Sequence, residues 1–265
     1  MRPGRYARLL WTLMKVRLNK GMMYSFNFWM AFFTDLSLFI LQIVLFSAIF
    51  LQVETLNGWN IYQMIVFIGT FTILDAIYMT TYFFGVLTIP DKIRTGALDT
   101  YIVRPVNTLF YVSLENIDLG SSILVIPGIL MVAYGTGMLG VPVTVWRVLG
   151  YIFLLLIMVL LMFILMIIIR TLAFWLVRID AFCEIENGLV DFSYRIPGVV
   201  FRGLWKLIFF IFLPYGLMAT IPTQLLTDVL DGRYWIMTIG VFAAFWCLGI
   251  FLWKRGMRRY SSASS

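Results

Sequence analysis

The chain has 265 residues, 62% of them hydrophobic and 12% charged, with a mean hydropathy of +0.95. Soluble domains run nearer half apolar and a quarter charged, so the composition predicts a polytopic membrane protein and excludes a soluble globular one. The net charge of +7 invites a nucleic-acid reading, but the basic residues cluster at the two ends and beside apolar stretches, where membrane topology accounts for them without a nucleic-acid partner.

Residues 1–20 carry Arg2, Arg5, Arg8, Lys15, Arg17 and Lys20 and no acidic residue. Arg5, Arg8, Thr12, Lys15 and Asn19 trace one helical stripe, largely opposite Tyr6, Leu9, Leu10, Leu13 and Met14. This predicts an amphipathic helix lying in the cytoplasmic interface. A signal peptide is not expected, because the apolar stretch that follows is too long and has no small-residue cleavage site. A first span is expected at about 26–51, interrupted by Asp35, and a second at about 61–87, interrupted by Asp75. Each exceeds the ~20 apolar residues that cross a bilayer. The connection 54–60 is short and holds no basic residue, as an outer loop should.

Residues 88–111 then read TIPDKIRTGALDTYIVRPVNTLFY. Asp91, Lys92, Arg94, Asp99 and Arg104 cannot cheaply enter hydrocarbon, so the segment belongs in water or against another protein. Three of these five are basic, which favours the cytoplasmic side. Ile93, Ala97 and Tyr101, with Leu98 and Ile102, fall at helical spacing, which allows a short amphipathic helix between Pro90 and Pro105. Pro105 disfavours helical geometry at Arg104 and marks a break before the next span.

The run Ile93-Arg94-Thr95-Gly96-Ala97-Leu98-Asp99, followed by Val103-Arg104-Pro105-Val106, resembles the cytoplasmic loop of ABC-2 type permeases, the membrane subunits of ATP-binding-cassette exporters. The hydrophobic layout is similar from about residue 8 to 255. The resemblance implies that loop 88–112 carries a coupling helix docking on a separate ATPase, and that residues 1–24 form a cytoplasmic N-terminus with an elbow helix. The coupling set it implies is Pro90, Asp91, Lys92, Ile93, Arg94, Gly96, Leu98, Asp99, Tyr101, Arg104 and Pro105. Leu98, Tyr101 and Ile102 would be its apolar anchors, and Arg94, Asp99 and Arg104 its polar fixing.

A third span is expected at about 114–135, kinked at Pro127-Gly128. After a glycine-rich turn at 135–142, a fourth span at about 147–170 holds the most hydrophobic run, with Arg170 at its return to the cytoplasm. Residues 172–195 are too polar for a lipid-facing helix, whereas 207–227 are free of charge but contain Pro214, Gly216 and Pro222. Either 172–195 is a buried fifth span followed by a re-entrant segment at 198–225, or 178–196 lies on the cytoplasmic surface and 203–224 spans. The family resemblance favours the first. A last span at 234–253 ends in Lys254, Arg255, Arg258 and Arg259. The expected fold is all-α and polytopic: six transmembrane helices in a domain over 25–256, with an elbow helix, a coupling helix, a re-entrant hairpin and a cytoplasmic tail at 257–265.

Asp35 and Asp75 cost a few kcal/mol each inside a span, so each is expected to be buried against a partner such as Arg170 or Arg178, or else to contact a cation or substrate. Asp180, Glu184 and Asp191 share a helical face, with Glu186 nearby. Pairing with Arg178, Arg195 and Arg202 is favoured there over metal or acid–base work, since no other segment supplies ligands. The chain has no histidine, which excludes HExxH zinc chemistry, Ser-His-Asp triads and histidine relays. Cys183 and Cys247 form no CxxC or zinc pattern. There is no GxxxxGK[ST], so this chain binds no ATP by a Walker loop and is not expected to be an enzyme. By resemblance, ATP and Mg2+ would sit on two ABC ATPase subunits, and a second permease, identical or related, would complete the pathway. The setting would be the bacterial plasma (inner) membrane, with both termini cytoplasmic. With no large soluble insertion to shape a cargo, a small amphipathic substrate (drug, antibiotic, lipid-like molecule or peptide) is preferred over a glycan. The alternatives are an ion-coupled carrier or channel using Asp35 and Asp75, and, weakest, an intramembrane enzyme using the acidic cluster.

Overall fold

A computed structural model describes residues 11, 12, 14, 15, 25–227 and 229–260. The interfacial helix expected over residues 1–20 lies outside the described residues except at Trp11, Thr12, Met14 and Lys15, which are helical. The last five residues lie outside them too. Among the described residues all regular structure is helical, with no strand beyond one isolated bridge between Leu56 and Trp59. This is what hydrocarbon demands, since a helix satisfies its backbone groups within one segment.

Helix α1 (Ser25–Phe50) is joined to α2 (Ile61–Tyr78) by a turn through Asn57 and Gly58. Asn60 and Gln63 close a reciprocal capping box at the start of α2. That helix does not stop at Tyr78. It continues through a π-helical turn, Met79–Phe83, and a further turn, Phe84–Leu87, into α3 (Ile89–Arg94), giving one 34-residue run from Ile61 to Arg94. At 1.5 Å per residue the run is ~51 Å long, well beyond the ~30 Å of a bilayer core, so its α3 end is carried out of the hydrocarbon.

Past α3 come α4 (Asp99–Ile102), α5 (Thr108–Leu114), α6 (Val125–Met138) and α7 (Val145–Thr171). The third span begins later than the expected 114–135: α5 ends at Leu114, residues 115–120 turn, and the membrane-length helix runs Ser121–Met138. Glu115 and Asp118 account for the shift, because both stay with the loop end of the bundle, where Glu115 pairs with Lys92 and the Asp118 amide donates to the Thr80 carbonyl in the π turn. Pro127 falls just past the joint between the 3-10 turn Ser121–Leu124 and α6, where the helical run changes its hydrogen-bonding pattern. Gly128 serves a different end. A Cβ on Gly69 of α2 would lie 2.7 Å from the Gly128 carbonyl, so the two helices cross backbone to backbone on small residues.

Helix α7 is the central post. Leu154, Met158, Leu161, Ile164 and Ile167 are fully buried along it, and with α2 they supply much of the core. The Tyr151 hydroxyl meets Thr70 Oγ1 at 2.9 Å, and the Tyr82 hydroxyl donates to the Val159 carbonyl at 2.7 Å, tying α7 to the α2 run.

The expected buried helix over 172–195 is two pieces. The α7 run ends at Phe174, residues 175–179 are non-helical, and α8 (Asp180–Arg195) is a 16-residue amphipathic helix. The next segment comprises α9 (Gly203–Leu207), a π turn to Phe212, a 3-10 turn Pro214–Leu217, and α10 (Thr220–Leu226). Its two halves are bent by 88° at Leu213-Pro214. The break is sheltered by protein: Tyr215, Leu217 and Ile221 are buried, and the Gly198 amide donates to Thr220 Oγ1 at 2.8 Å. Helix α11 (Gly232–Arg259) packs back on α7. Among the described residues four helical runs are long and apolar enough to cross a membrane (Ile61–Arg94, Ser121–Met138, Val145–Phe174 and Gly232–Arg259), five if the bent pair counts as one span, and Phe39–Phe50 of α1 is a shorter apolar helix.

Candidate functional site

Two regions gather the polar residues. The first is the loop at the far end of the α2 run. The expected single helix across Ile93–Ile102 is broken: Gly96, at φ 75°, reverses the chain after α3, and the Leu98 amide donates to the Lys92 carbonyl at 3.1 Å. A left-handed φ suits glycine, which explains why helical spacing does not carry through. Lys92 is the hub of the fold-back. Its ammonium pairs with Glu115, donates to Thr88 Oγ1 at 2.9 Å and lies 4.6 Å from the centre of the Tyr101 ring. Arg104 lies over both Tyr101 and Tyr111, at 5.4 and 4.6 Å. Burial raises the Tyr101 phenol above its ordinary value, with Arg104 pulling the other way.

The apolar anchors divide. Leu98 and Ile93 are buried against the bundle. Ile102 is exposed, and Val103 beside it is 81% exposed; sequence reasoning had passed over Val103 as a site residue. Arg94 and Asp91 pair at 2.9 Å on the surface, and Pro105 and Arg104 are exposed. Asp99 sits beside Tyr260 at the end of α11, and burial together with that carboxylate pushes the Tyr260 phenol up to about 12. A cavity of about 330 Å³ opens here between α3, the 173–179 linker and the end of α11. Arg178 and Asp180 line it together with Asp91 and Arg94 of the loop.

The second region is a cavity of about 260 Å³ between α1, α2, α7 and α8. Asp75 is half-buried in its wall and accepts a hydrogen bond from Tyr78. Gln42 of α1 donates to the Tyr194 carbonyl at 2.7 Å, and the Tyr194 ring meets Phe71 edge-on at 4.3 Å, so α8 is fastened across α1 and α2. Neither Gln42 nor Tyr194 was singled out from sequence, although a lone glutamine in an apolar helix is a legible signal. Asp35 lies on α1, and its side chain is outside the described set.

Arg170 departs most from expectation. It is buried inside the bundle, and it pairs with Glu186 of α8. The reversal at 175–179 folds α8 back over α7 and brings the two together. The rest of the acidic face is exposed: Glu184 faces outward, and Asp191 pairs with Arg195 at 3.0 Å. Arg202 pairs with Asn57, not with the cluster. No single place collects Asp180, Glu184, Glu186 and Asp191.

A family model described as ABC-2 family transporter protein matches residues 36–264. No curated protein and no solved structure matches the chain.

Proposed function

From the premise that the chain belongs to the ABC-2 family of transporter proteins, we propose that it is the permease subunit of an ATP-driven exporter. The observation that carries this reading is the unbroken helix Ile61–Arg94, which forms one wall of the intramembrane cavity and also holds the loop clear of the hydrocarbon. A lever of this kind needs a stiff arm and a fixed tip. The π turn and Pro90 leave the arm continuous, and Leu98, the Lys92–Glu115 pair and the Arg104–tyrosine contacts hold the tip. Ile102, Val103 and Arg104 then present an apolar patch with a charge, suited to docking a soluble ATPase. Leu98 acts on the permease side of that joint. Two ATPase subunits would bind ATP and Mg2+, since this sequence has no Walker loop.

The loop end is assigned to the cytoplasm, with both termini, in a bacterial plasma membrane. The basic residues of the loop and of Lys254–Arg259 agree with that sense. α8 serves as a short fifth span and 198–225 as a re-entrant hairpin. The exposed Asp191–Arg195 pair is level with Phe71 of α2, ten residues into the span, where lipid would be a poor neighbour. A second permease, identical or related, covers that face and completes the path for a small amphipathic substrate.

Purification in mild detergent tests the reading. A stoichiometric Walker-containing ATPase should accompany the chain, and Val103→Asp should release it from an intact permease. A chain that purifies alone and moves ions across liposomes without ATP would instead establish the ion-coupled carrier.

A further inference from the structure

At the end of the bundle away from the 88–111 loop, a groove of about 460 Å³ lies between α9, its π turn and the start of α11. Both helices run inward from this end. Their first turns put Lys206, Asp231 and Arg233 at the rim, with Phe210, Ile211 and Met237 a turn deeper. The Lys206 ammonium lies 5.7 and 4.9 Å from the ring centres of Phe210 and Tyr234, and it donates to the Tyr234 hydroxyl. That hydrogen bond uses one of its three N–H donors. Arg233 is exposed, and neither cation pairs with a carboxylate among the described residues. The Asp231 carboxylate accepts the Arg233 amide at 3.0 Å. Two cations and one anion give the rim an excess of one positive charge.

The neighbours fix the depth of the groove in the membrane. Trp235 stacks over Phe153 at 6.4 Å, which puts the start of α11 level with the first turns of α7. Trp146 on that part of α7 and Trp205 on α9 are both strongly exposed. Tryptophan and tyrosine concentrate at the height of the lipid headgroups, where the ring meets hydrocarbon and the N–H or O–H meets water. We propose that the groove holds an anionic glycerophospholipid of the leaflet opposite the loop. Its phosphodiester lies between Lys206, Arg233 and the Tyr234 hydroxyl, and an acyl chain runs over Ile211 and Met237. Charge-assisted bonds from ammonium and guanidinium suit the phosphate oxygens, and the single excess charge matches the single negative charge of such a lipid. A zwitterionic lipid brings its own cation to the rim and returns no net charge. On the other side of α9, Phe209 packs on Phe192 of α8 at 5.3 Å and on Phe201 at 4.5 Å. The groove therefore opens away from the Asp191–Arg195 face assigned to a second permease.

The test is native mass spectrometry of the full chain released from detergent micelles. It is titrated with dioleoylphosphatidylglycerol and, separately, with dioleoylphosphatidylcholine, which has the same chains and a zwitterionic headgroup. The wild type should bind one phosphatidylglycerol about fivefold more tightly than phosphatidylcholine or better. Lys206→Gln and Arg233→Gln should each weaken phosphatidylglycerol binding by about fivefold and phosphatidylcholine binding by less. Because Arg233 is exposed, its variant decides the matter if Lys206→Gln does not fold. Arg202→Gln removes the same charge outside the groove, where Arg202 bonds to Asn57, and should leave binding unchanged. The water-soluble headgroup glycerophosphoglycerol, at equal concentration, should not displace the lipid. Equal binding of the two lipids overturns the proposal. So does an unchanged affinity in Arg233→Gln, or a loss in Arg202→Gln as large as in Arg233→Gln. Displacement by glycerophosphoglycerol overturns the lipid in favour of a soluble phosphodiester.

Discussion

Replacing Glu186 with alanine is expected to destabilise the folded chain by about 3–5 kcal/mol, because it strands a buried guanidinium. Arg170 and Glu186 are 1% and 2% exposed, so neither partner has water to fall back on. Withdrawing two charges from water costs several kcal/mol per ion, and their mutual attraction offsets that only while both are present. The double variant Arg170→Met with Glu186→Leu removes both penalties together and should be about as stable as the wild type, or more so. Unfolding in mixed micelles, followed by tryptophan fluorescence, gives the four corners of a double-mutant cycle. The neighbouring Asp191–Arg195 pair provides the internal contrast: its side chains are 59% and 50% exposed, so Asp191→Asn should cost less than about 1 kcal/mol. A Glu186→Ala cost no larger than that would refute the reasoning, since it would mean that water reaches the pair.

Backbone approach can be tested at Gly85, where a Cβ would overlap the Ser113 carbonyl; Gly85→Ala should cost about 1–3 kcal/mol and lower the thermal midpoint. Gly188, in α8 with nothing within 4 Å of its Cβ position, should gain about 0.5–1 kcal/mol on the same change. In the loop, Leu98→Ala should lower stability by about 2–5 kcal/mol, while Val103→Asp should leave the unfolding curve in place and cost only ATPase association. The Tyr260 phenol, with its pKa pushed up to about 12 in the folded chain, should titrate above the ordinary tyrosine range of about 10, as read by phenolate absorbance. Because the folded value is the higher one, its stabilising effect is complete below about 10 and is lost as pH rises through about 12. Asp99→Asn should lower that value, though burial would still hold it above the ordinary range.

What the sequence alone determines here is the class of molecule and the place of the loop. Runs of ~20 apolar residues are a one-dimensional signal, and charges such as Asp91, Lys92, Arg94 and Arg104 between two of them cannot be elsewhere than at an edge. The bend at Pro214 was legible for a similar local reason. Pairing and orientation were not. Helical spacing groups Leu98 with Ile102, but the reversal at Gly96 sends one into the bundle and leaves the other in the open. Arg170 and Glu186 become partners only because the chain turns at 175–179 and lays α8 across α7. Asp75 acquires a cavity only where α1, α7 and α8 converge on α2. Hydrophobic runs report the solvent each segment prefers, which is a local property. Which charge neutralises which depends on distances between segments far apart in the chain, and only the tertiary structure sets those.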